Sequence, residues 1–103
     1  MERTNIEKIL MDRFEIKEED IIDSIRFFGK DGRLFCFPSK QKNKVIIFII
    51  LSNKFEFDIE YSEKEINMEL KRIVDDFPLF RRALIDFGLF SRTRDCKVYT
   101  RNR

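Results

Sequence analysis

The segment from Tyr61 to Tyr99 constrains the fold of this 103-residue chain more than any other. Ser62 followed three residues later by Glu65 has the spacing of a capping box, which predicts that a helix begins there. The apolar residues that come next repeat at helical spacing: Ile66, Leu70, Ile73 and Val74. The segment therefore opens with a short amphipathic helix.

A second helix is predicted directly after the first. Asp75 or Asp76 can cap it, and Pro78 is tolerated because it lies in the first turn. Gly88 is placed as a left-handed stop, with Leu89 positioned to contact Leu84. The apolar face of this helix is formed by Phe77, Phe80, Leu84 and Phe87. Since Phe80 and Leu84 belong to that face, we expect them to be buried.

A basic hairpin follows Gly88, with its turn at residues 93–96. The order of two short helices and a hairpin is the one that a winged helix-turn-helix requires. Cations on the hairpin can lie along a phosphate backbone, or can only protect an edge strand. The candidate DNA contacts lie on the exposed face of the second helix and on the hairpin: Leu79, Arg82, Ala83, Arg92, Arg94, Lys97 and Arg101.

The two neighbouring arginines of the second helix are interpreted differently. Arg81 borders the apolar face, so pairing with a carboxylate of the preceding helix, such as Glu65 or Glu69, is favoured. Arg82 points outward, where a solvated surface position and a phosphate contact are equally compatible with the pattern. A weaker phosphate contact is predicted from Lys40, Lys42 and Lys44.

Two amphipathic helices are predicted before residue 30, which separates an N-terminal extension, 1–30, from a second unit, 31–103. The first, Thr4–Phe14, opens with a capping box formed by Thr4 and Glu7. The second, Lys17–Phe28, ends at Gly29. Their inward positions are predicted to be Ile6, Ile9, Leu10 and Phe14, then Ile21, Ile22, Ile25 and Phe28. We expect this extension to contact the rest of the domain or to form a homodimer contact, because a two-fold DNA reader needs one.

The middle of the chain is less clearly patterned. A strand is predicted at Leu34–Phe37 and another at Phe55–Ile59, where apolar and acidic residues alternate. Between them, the apolar run Val45–Leu51 suits a buried strand by propensity. Its flanking residues suit a buried helix equally well, and periodicity does not decide between the two.

Composition excludes several classes of protein. The apolar run Val45–Leu51 is far shorter than the about 20 residues that cross a bilayer, and the charged N-terminus lacks the features of a secretory signal, so a cytoplasmic location is expected. Cys36 and Cys96, each inside a candidate strand, are predicted to be half-buried thiols. The chain has no His and no nucleophile or phosphate-loop motif, so we expect neither an enzyme nor a metal or other cofactor.

Charge is unevenly distributed although the net charge is only +2. Four successive blocks, residues 1–25, 26–44, 45–80 and 81–103, carry −4, +5, −4 and +5. The last block holds the predicted hairpin. This asymmetry favours an anionic partner for the C-terminal part of the chain.

Residues 31–99 resemble the bacterial domain-of-unknown-function family 2087, whose members occur alone or fused to ArsR-type helix-turn-helix domains in predicted transcriptional regulators. The resemblance depends on motifs at matching separations: Gly32-Arg33-Leu34, Tyr61-Ser62-Glu63-Lys64-Glu65, Phe80-Arg81-Arg82 and Gly88-Leu89-Phe90. It implies that Lys40–Lys54 is a helix. The family usually has a glycine in the turn of the hairpin, where this chain has Arg94-Asp95-Cys96.

The expected fold is α+β, with a winged helix-turn-helix-like core and two additional N-terminal helices. The leading functional hypothesis is a transcriptional regulator that binds double-stranded DNA through the helix Asp76–Phe87 and the basic hairpin. The alternative is a protein-interaction or ligand-sensing module on the same scaffold, because acidic residues between Glu56 and Glu69 would repel phosphate.

Overall fold

Five α-helices, one short 3-10 helix and a three-stranded antiparallel sheet make up residues 2–103, the part of the chain that this computed structural model describes. The elements are α1 (Asn5–Arg13), α2 (Glu18–Asp23), the 3-10 helix (Ser24–Phe27), α3 (Gln41–Ser52), β1 (Tyr61–Ser62), α4 (Glu63–Lys71), α5 (Phe77–Asp86), β2 (Phe90–Arg92) and β3 (Val98–Arg101). The strands pair in the order β1-β3-β2. The predicted α+β class is confirmed.

The apolar run in the middle of the chain is α3, the helix at the centre of the core. Val45, Ile47 and Leu51 have no exposed surface, although they lie on different sides of this helix. A helix that is apolar on all sides must be covered on all sides. No helix formed by residues 2–103 has the length and apolar composition needed to span a membrane.

The predicted starts of α4 and α5 and the stop of α5 are confirmed, whereas α4 ends at Lys71, before Ile73 and Val74. The Ser62 hydroxyl accepts a hydrogen bond from the Glu65 backbone N–H at 3.1 Å, and the Glu65 carboxylate accepts one from the Ser62 N–H at 2.8 Å. The backbone bond from Ser62 lowers the pKa of Glu65. Pro78 lies in the first turn of α5 as expected; Asp76 occupies the N-cap position, but its side chain makes no capping hydrogen bond.

The N-terminal helices form, but their predicted buried faces are partly wrong. Glu7 lies inside with Leu10, whereas Ile9 is exposed. In the second helix the chain tightens into the 3-10 helix at Ser24, whose buried hydroxyl donates to the Ile21 carbonyl. Ile22 and Ile25 consequently face solvent. Apolar spacing misjudged these positions because buried polar residues occupy part of each inward face.

Both predicted flanking strands are also wrong. Leu34 makes one antiparallel bridge to Phe28, but residues 34–37 form no strand in the part of the chain described here. Residues 55–59 form a bend and a turn, and Asp58 has φ +62°, which lies outside the β region. Cys36, expected to be half-buried in the first of these strands, is exposed, and Cys96 is partly exposed in the hairpin turn.

Candidate nucleic-acid interface

Helix α5 presents one buried face and one exposed face. Phe80 and Leu84 lie in the core, as the apolar spacing predicted. Leu79 is 47% exposed and Arg82 is exposed, while Ala83 is partly covered. Asp86, one turn beyond Arg82, places a carboxylate on the same exposed face. Three of the predicted site residues therefore share one accessible surface, together with one acidic group.

Gly88 fixes the direction in which the hairpin leaves α5. It has φ +77°, and its N–H donates to the Ile85 carbonyl while the Leu89 N–H donates to the Leu84 carbonyl. These two bonds make the left-handed C-terminal stop predicted from the sequence. A Cβ at this position would lie 3.3 Å from the Ile6 side chain, so Gly88 also permits contact with α1.

The hairpin turn between β2 and β3 is stabilised by its own side chains. Asp95 accepts hydrogen bonds from the Thr93 hydroxyl at 2.6 Å and from the Lys97 N–H at 3.1 Å, and the bond from Thr93 is the main cause of its lowered pKa. Cys96 adopts φ +62°, the conformation that glycine favours at such a turn. The Arg92 guanidinium lies 3.0 Å from the Cys96 sulfur. A turn ordered in this way holds its cations at a fixed distance from α5.

Helix α5 and the hairpin meet at a cleft of about 190 Å³. Arg82 reaches it from the helix and Arg92 reaches it from β2. Tyr99, on β3, lines the same cleft and is buried, which raises the pKa of its phenol. The cleft thus brings together two predicted cations that are ten residues apart in sequence, and the carboxylates of Glu63 and Asp86 also line it.

Arg81 contributes structure rather than free charge to this cleft. Its guanidinium lies 3.2 Å from the Glu63 carboxylate and donates a hydrogen bond to the Asn67 side chain. Pairing with a carboxylate of the preceding helix was the favoured interpretation, but the partner is Glu63 rather than Glu65 or Glu69. This contact ties α5 to α4 and neutralises one of the two neighbouring arginines.

The remaining surface cations of the predicted site are Arg82, Arg92, Arg94 and Lys97. All four are exposed, and none forms an ion pair with any of residues 2–103. Cations without a local carboxylate keep their full charge for an external anion. In contrast, Lys42 lies 3.1 Å from Asp20, which weakens the predicted phosphate contact on α3.

Arg101 is not on this surface. Its side chain is only 8% exposed, lies 3.5 Å from the buried Glu7 carboxylate and donates to the Phe55 carbonyl at 2.9 Å. Its guanidinium also stacks on the Phe57 ring at 3.9 Å from the centroid. Burial lowers the pKa of Arg101, and Glu7 partly opposes that effect. The prediction that Arg101 contacts DNA is therefore wrong for this conformation, because the side chain joins β3 to α1.

An apolar recess of about 250 Å³ borders the exposed face of α5 on the side away from the hairpin. Phe37, Leu79 and Phe48 are among the residues that line this recess. Lys44, at the start of α3, places its ammonium 5.5 Å from the centre of the Phe37 ring. Sequence reasoning missed this recess, since Phe37 was assigned to a strand.

Within residues 2–103, no cluster of three or more His, Cys, Asp or Glu side chains is arranged to hold a metal ion. Among these same residues, the arrangement around α5 and the hairpin offers four unpaired guanidinium and ammonium groups to an anion, against the exposed carboxylates of Asp86 and Asp95.

Comparisons with known proteins identify a family but no characterised relative. Searches of curated proteins and of solved structures give no significant match. Residues 33–101, more than half of the chain, match the family of uncharacterized proteins conserved in bacteria, DUF2087. This range begins after the N-terminal helices and includes both the cleft and the whole hairpin. The chain belongs to the DUF2087 family.

Proposed function

We propose that this chain is a transcriptional regulator that binds double-stranded DNA through α5 and the β2–β3 hairpin. The fold that we propose for residues 41–101 is a winged helix-turn-helix. The element order supports it, because α3, β1, α4, α5, β2 and β3 follow in the sequence helix, strand, helix, helix, strand, strand. Pairing of β1 with β3 also supports it, since this joins the hairpin to the strand that leads directly into α4.

The observation that carries the proposal is the cleft between α5 and the hairpin. Arg82 and Arg92 approach it from two elements, and neither has a carboxylate partner within the described residues. A guanidinium presents several N–H donors in a fixed plane, which suits the oxygens of a phosphate. Arg94 and Lys97 extend the positive charge along the hairpin turn. DNA in this position would pass over the cleft with the hairpin along its backbone.

Base recognition falls to the exposed face of α5. Leu79, Arg82 and Ala83 are the side chains that this face offers to a groove. Arg82 can bond to guanine or to phosphate, whereas Leu79 and Ala83 offer only apolar contact, for example with the thymine methyl group. Most of the affinity would then come from phosphate contacts and would be independent of sequence.

A protein-interaction module is the second candidate function, and the recess beside α5 is the observation that favours it. Phe37 is 39% exposed and Leu79 is 47% exposed, so neighbouring apolar side chains remain uncovered there. Such a recess could receive an apolar side chain of a protein partner. This use of the scaffold would not require the free cations of the hairpin.

Charge reversal on the hairpin separates the two functions. We expect Arg92→Glu combined with Arg94→Glu to abolish binding of a random duplex measured by fluorescence anisotropy at low salt. The matched control is Lys8→Glu combined with Lys64→Glu, which makes the same change in net charge at exposed positions on α1 and α4. We expect the control to bind nearly as well as the parent.

Equal loss of binding in both double variants would show that only net charge matters, and would contradict a specific α5–hairpin interface. Circular dichroism spectra and melting temperatures of both variants must match the parent, because all four positions are exposed.

A further inference from the structure

The surface formed by α2 and the 3-10 helix is the most apolar face left open in the described chain. Ile22 is 70% exposed and Ile25 is 75% exposed, the highest values among the large apolar residues that face solvent. Both line a recess of about 500 Å³ together with Phe28 and Ile50. An exposed apolar surface of this kind can be buried against the same surface of a second copy of the chain.

The two ends of this face carry opposite charges, and the exposed Asp23 lies between them. Glu19, Ile22 and Arg26 lie at helical spacing on one side, with the acidic group before the isoleucine and the basic group after it. From the rise of the two helix types, Glu19 and Arg26 are about 12 Å apart along the axis, so the midpoint between them lies just past Ile22 and about 6 Å from each. Neither Glu19 nor Arg26 forms an ion pair with another side chain of residues 2–103.

We propose that this face is the interface of a two-fold homodimer, in which the α2 helices of two copies lie antiparallel. Antiparallel pairing centred just past Ile22 places Glu19 of each copy against Arg26 of the other, because the two residues are nearly equidistant from the centre. The same pairing lets Ile25 of each copy enter the recess of the other. A two-fold interface uses the same patch on both copies, so each contact occurs twice.

A second copy fits this face better than a small amphiphile does. Lys30 and Lys54 stand at the recess and could meet a carboxylate headgroup. A lipid in the recess would contact Ile22 and Ile25, which line it, but it would not use Glu19. A second copy covers both isoleucines and gives Glu19 as well as Arg26 a partner of opposite charge.

The dimer would have a consequence for DNA binding, and that consequence, unlike the dimer itself, rests on the proposed function. Two copies related by a two-fold axis present two α5–hairpin surfaces, which is the arrangement that reads a palindromic site. The experiment below contains no DNA. A monomeric result would therefore not count against DNA binding, and a failure to bind DNA would not count against the dimer.

The first measurement is the mass of the full chain by sedimentation equilibrium. We expect twice the chain mass of 12.6 kDa. Ile22→Glu should raise the dimer dissociation constant by about 30-fold or more, the size of a hot-spot loss. Its matched control is Met68→Glu, another exposed apolar residue, on α4 and away from the recess. The control should remain dimeric.

The second measurement uses charge reversal to test the antiparallel register. Glu19→Lys and Arg26→Glu should each weaken their own homodimer, because like charges then face each other twice. Mixed in equal amounts, the two variants should form a heterodimer, in which both pairs are again of opposite sign. A tagged Glu19→Lys chain should therefore capture Arg26→Glu chains better than it captures its own kind.

Three results would overturn the proposal. One is a parent chain that sediments as a monomer throughout the micromolar range. Another is a dimer that Ile22→Glu leaves unchanged, which would place the interface elsewhere. The third is a monomer that binds a fluorescent fatty acid and loses it in Ile22→Glu, which would assign the face to a lipid.

Discussion

The ion pair between Arg101 and Glu7 supports the most specific stability prediction. The Glu7 side chain is 2% exposed and meets three groups: it accepts from the Thr4 N–H at 3.0 Å and from the Asn53 amide at 2.8 Å, and it faces Arg101 at 3.5 Å. Arg3 lies at the outer edge of the pair, 4.0 Å away. The contact thus connects α1, α3 and β3 at one buried point.

The perturbation is Arg101→Met, which keeps most of the aliphatic stem and removes the charge. Removal of one partner from a buried pair typically costs about 3–5 kcal/mol, since the other charge is left unpaired. Glu7 would keep its bonds from Thr4 and Asn53, so we expect a loss near the lower end, about 3 kcal/mol. That is a large part of the free energy of unfolding of a domain of this size, which is about 5–15 kcal/mol.

Urea denaturation followed by far-ultraviolet circular dichroism measures this loss. With a slope of about 1.5–2 kcal/mol per molar, the midpoint should fall by about 1.5–2 M urea. Arg94→Met is the control, because Arg94 is exposed and surface substitutions usually change stability by less than about 0.5 kcal/mol. Adding Glu7→Gln to Arg101→Met removes the unpaired charge and should recover much of the loss. An Arg101→Met midpoint equal to that of Arg94→Met would refute the buried pair.

Three further predictions concern α4 and the core. Ser62→Ala removes the N-cap bond of α4, so its free energy of unfolding should fall by about 1 kcal/mol in urea denaturation, and unchanged stability would contradict the capping box. Phe80→Ala removes a ring that is 4% exposed and contacts Phe48 edge-on, so it should lose roughly 3–5 kcal/mol and melt far below the parent. The pKa of Glu65 is lowered on folding, so the ionised carboxylate stabilises the folded state. This stabilisation is complete above the unfolded pKa and disappears as pH falls through the folded pKa. Glu65→Gln keeps the acceptor without the titration, so acid titrations of stability should show a shallower loss between about pH 5 and pH 3 than in the parent; an identical profile would contradict this role.

Local signals predicted much of the fold. The capping box of Ser62 and Glu65, the stop at Gly88 and the apolar spacing that buries Phe80 and Leu84 each involve residues within a few positions of one another. Hydrogen bonds of this kind are specified by the sequence itself. Helix α3 was ambiguous, because a wholly buried apolar run has no period, and only the resemblance favoured the helix.

Two of the errors, at Glu7 and Arg101, come from polar residues whose partners are distant in sequence. Glu7 lies inside because Asn53 and Arg101 meet it there, and both partners are more than 40 residues away. For Arg101 a signal was present: residues two apart on a strand share a face, and Tyr99 is buried. Applied to β3, that rule would have placed Arg101 inward and removed it from the predicted DNA contacts.

The salt dependence of DNA binding tests the central claim most directly. With Arg101 inside the protein, four cations remain as phosphate contacts: Arg82, Arg92, Arg94 and Lys97. Each released counterion contributes about −0.9 to the slope of log K against log salt concentration, so we expect a slope of about −3.6 per bound chain. The Arg92→Glu/Arg94→Glu variant should lose this binding, and Arg94→Met alone should make the slope less negative by about one contact. A parent chain that binds no duplex at about 50 mM salt, where such contacts are strong, would contradict the account.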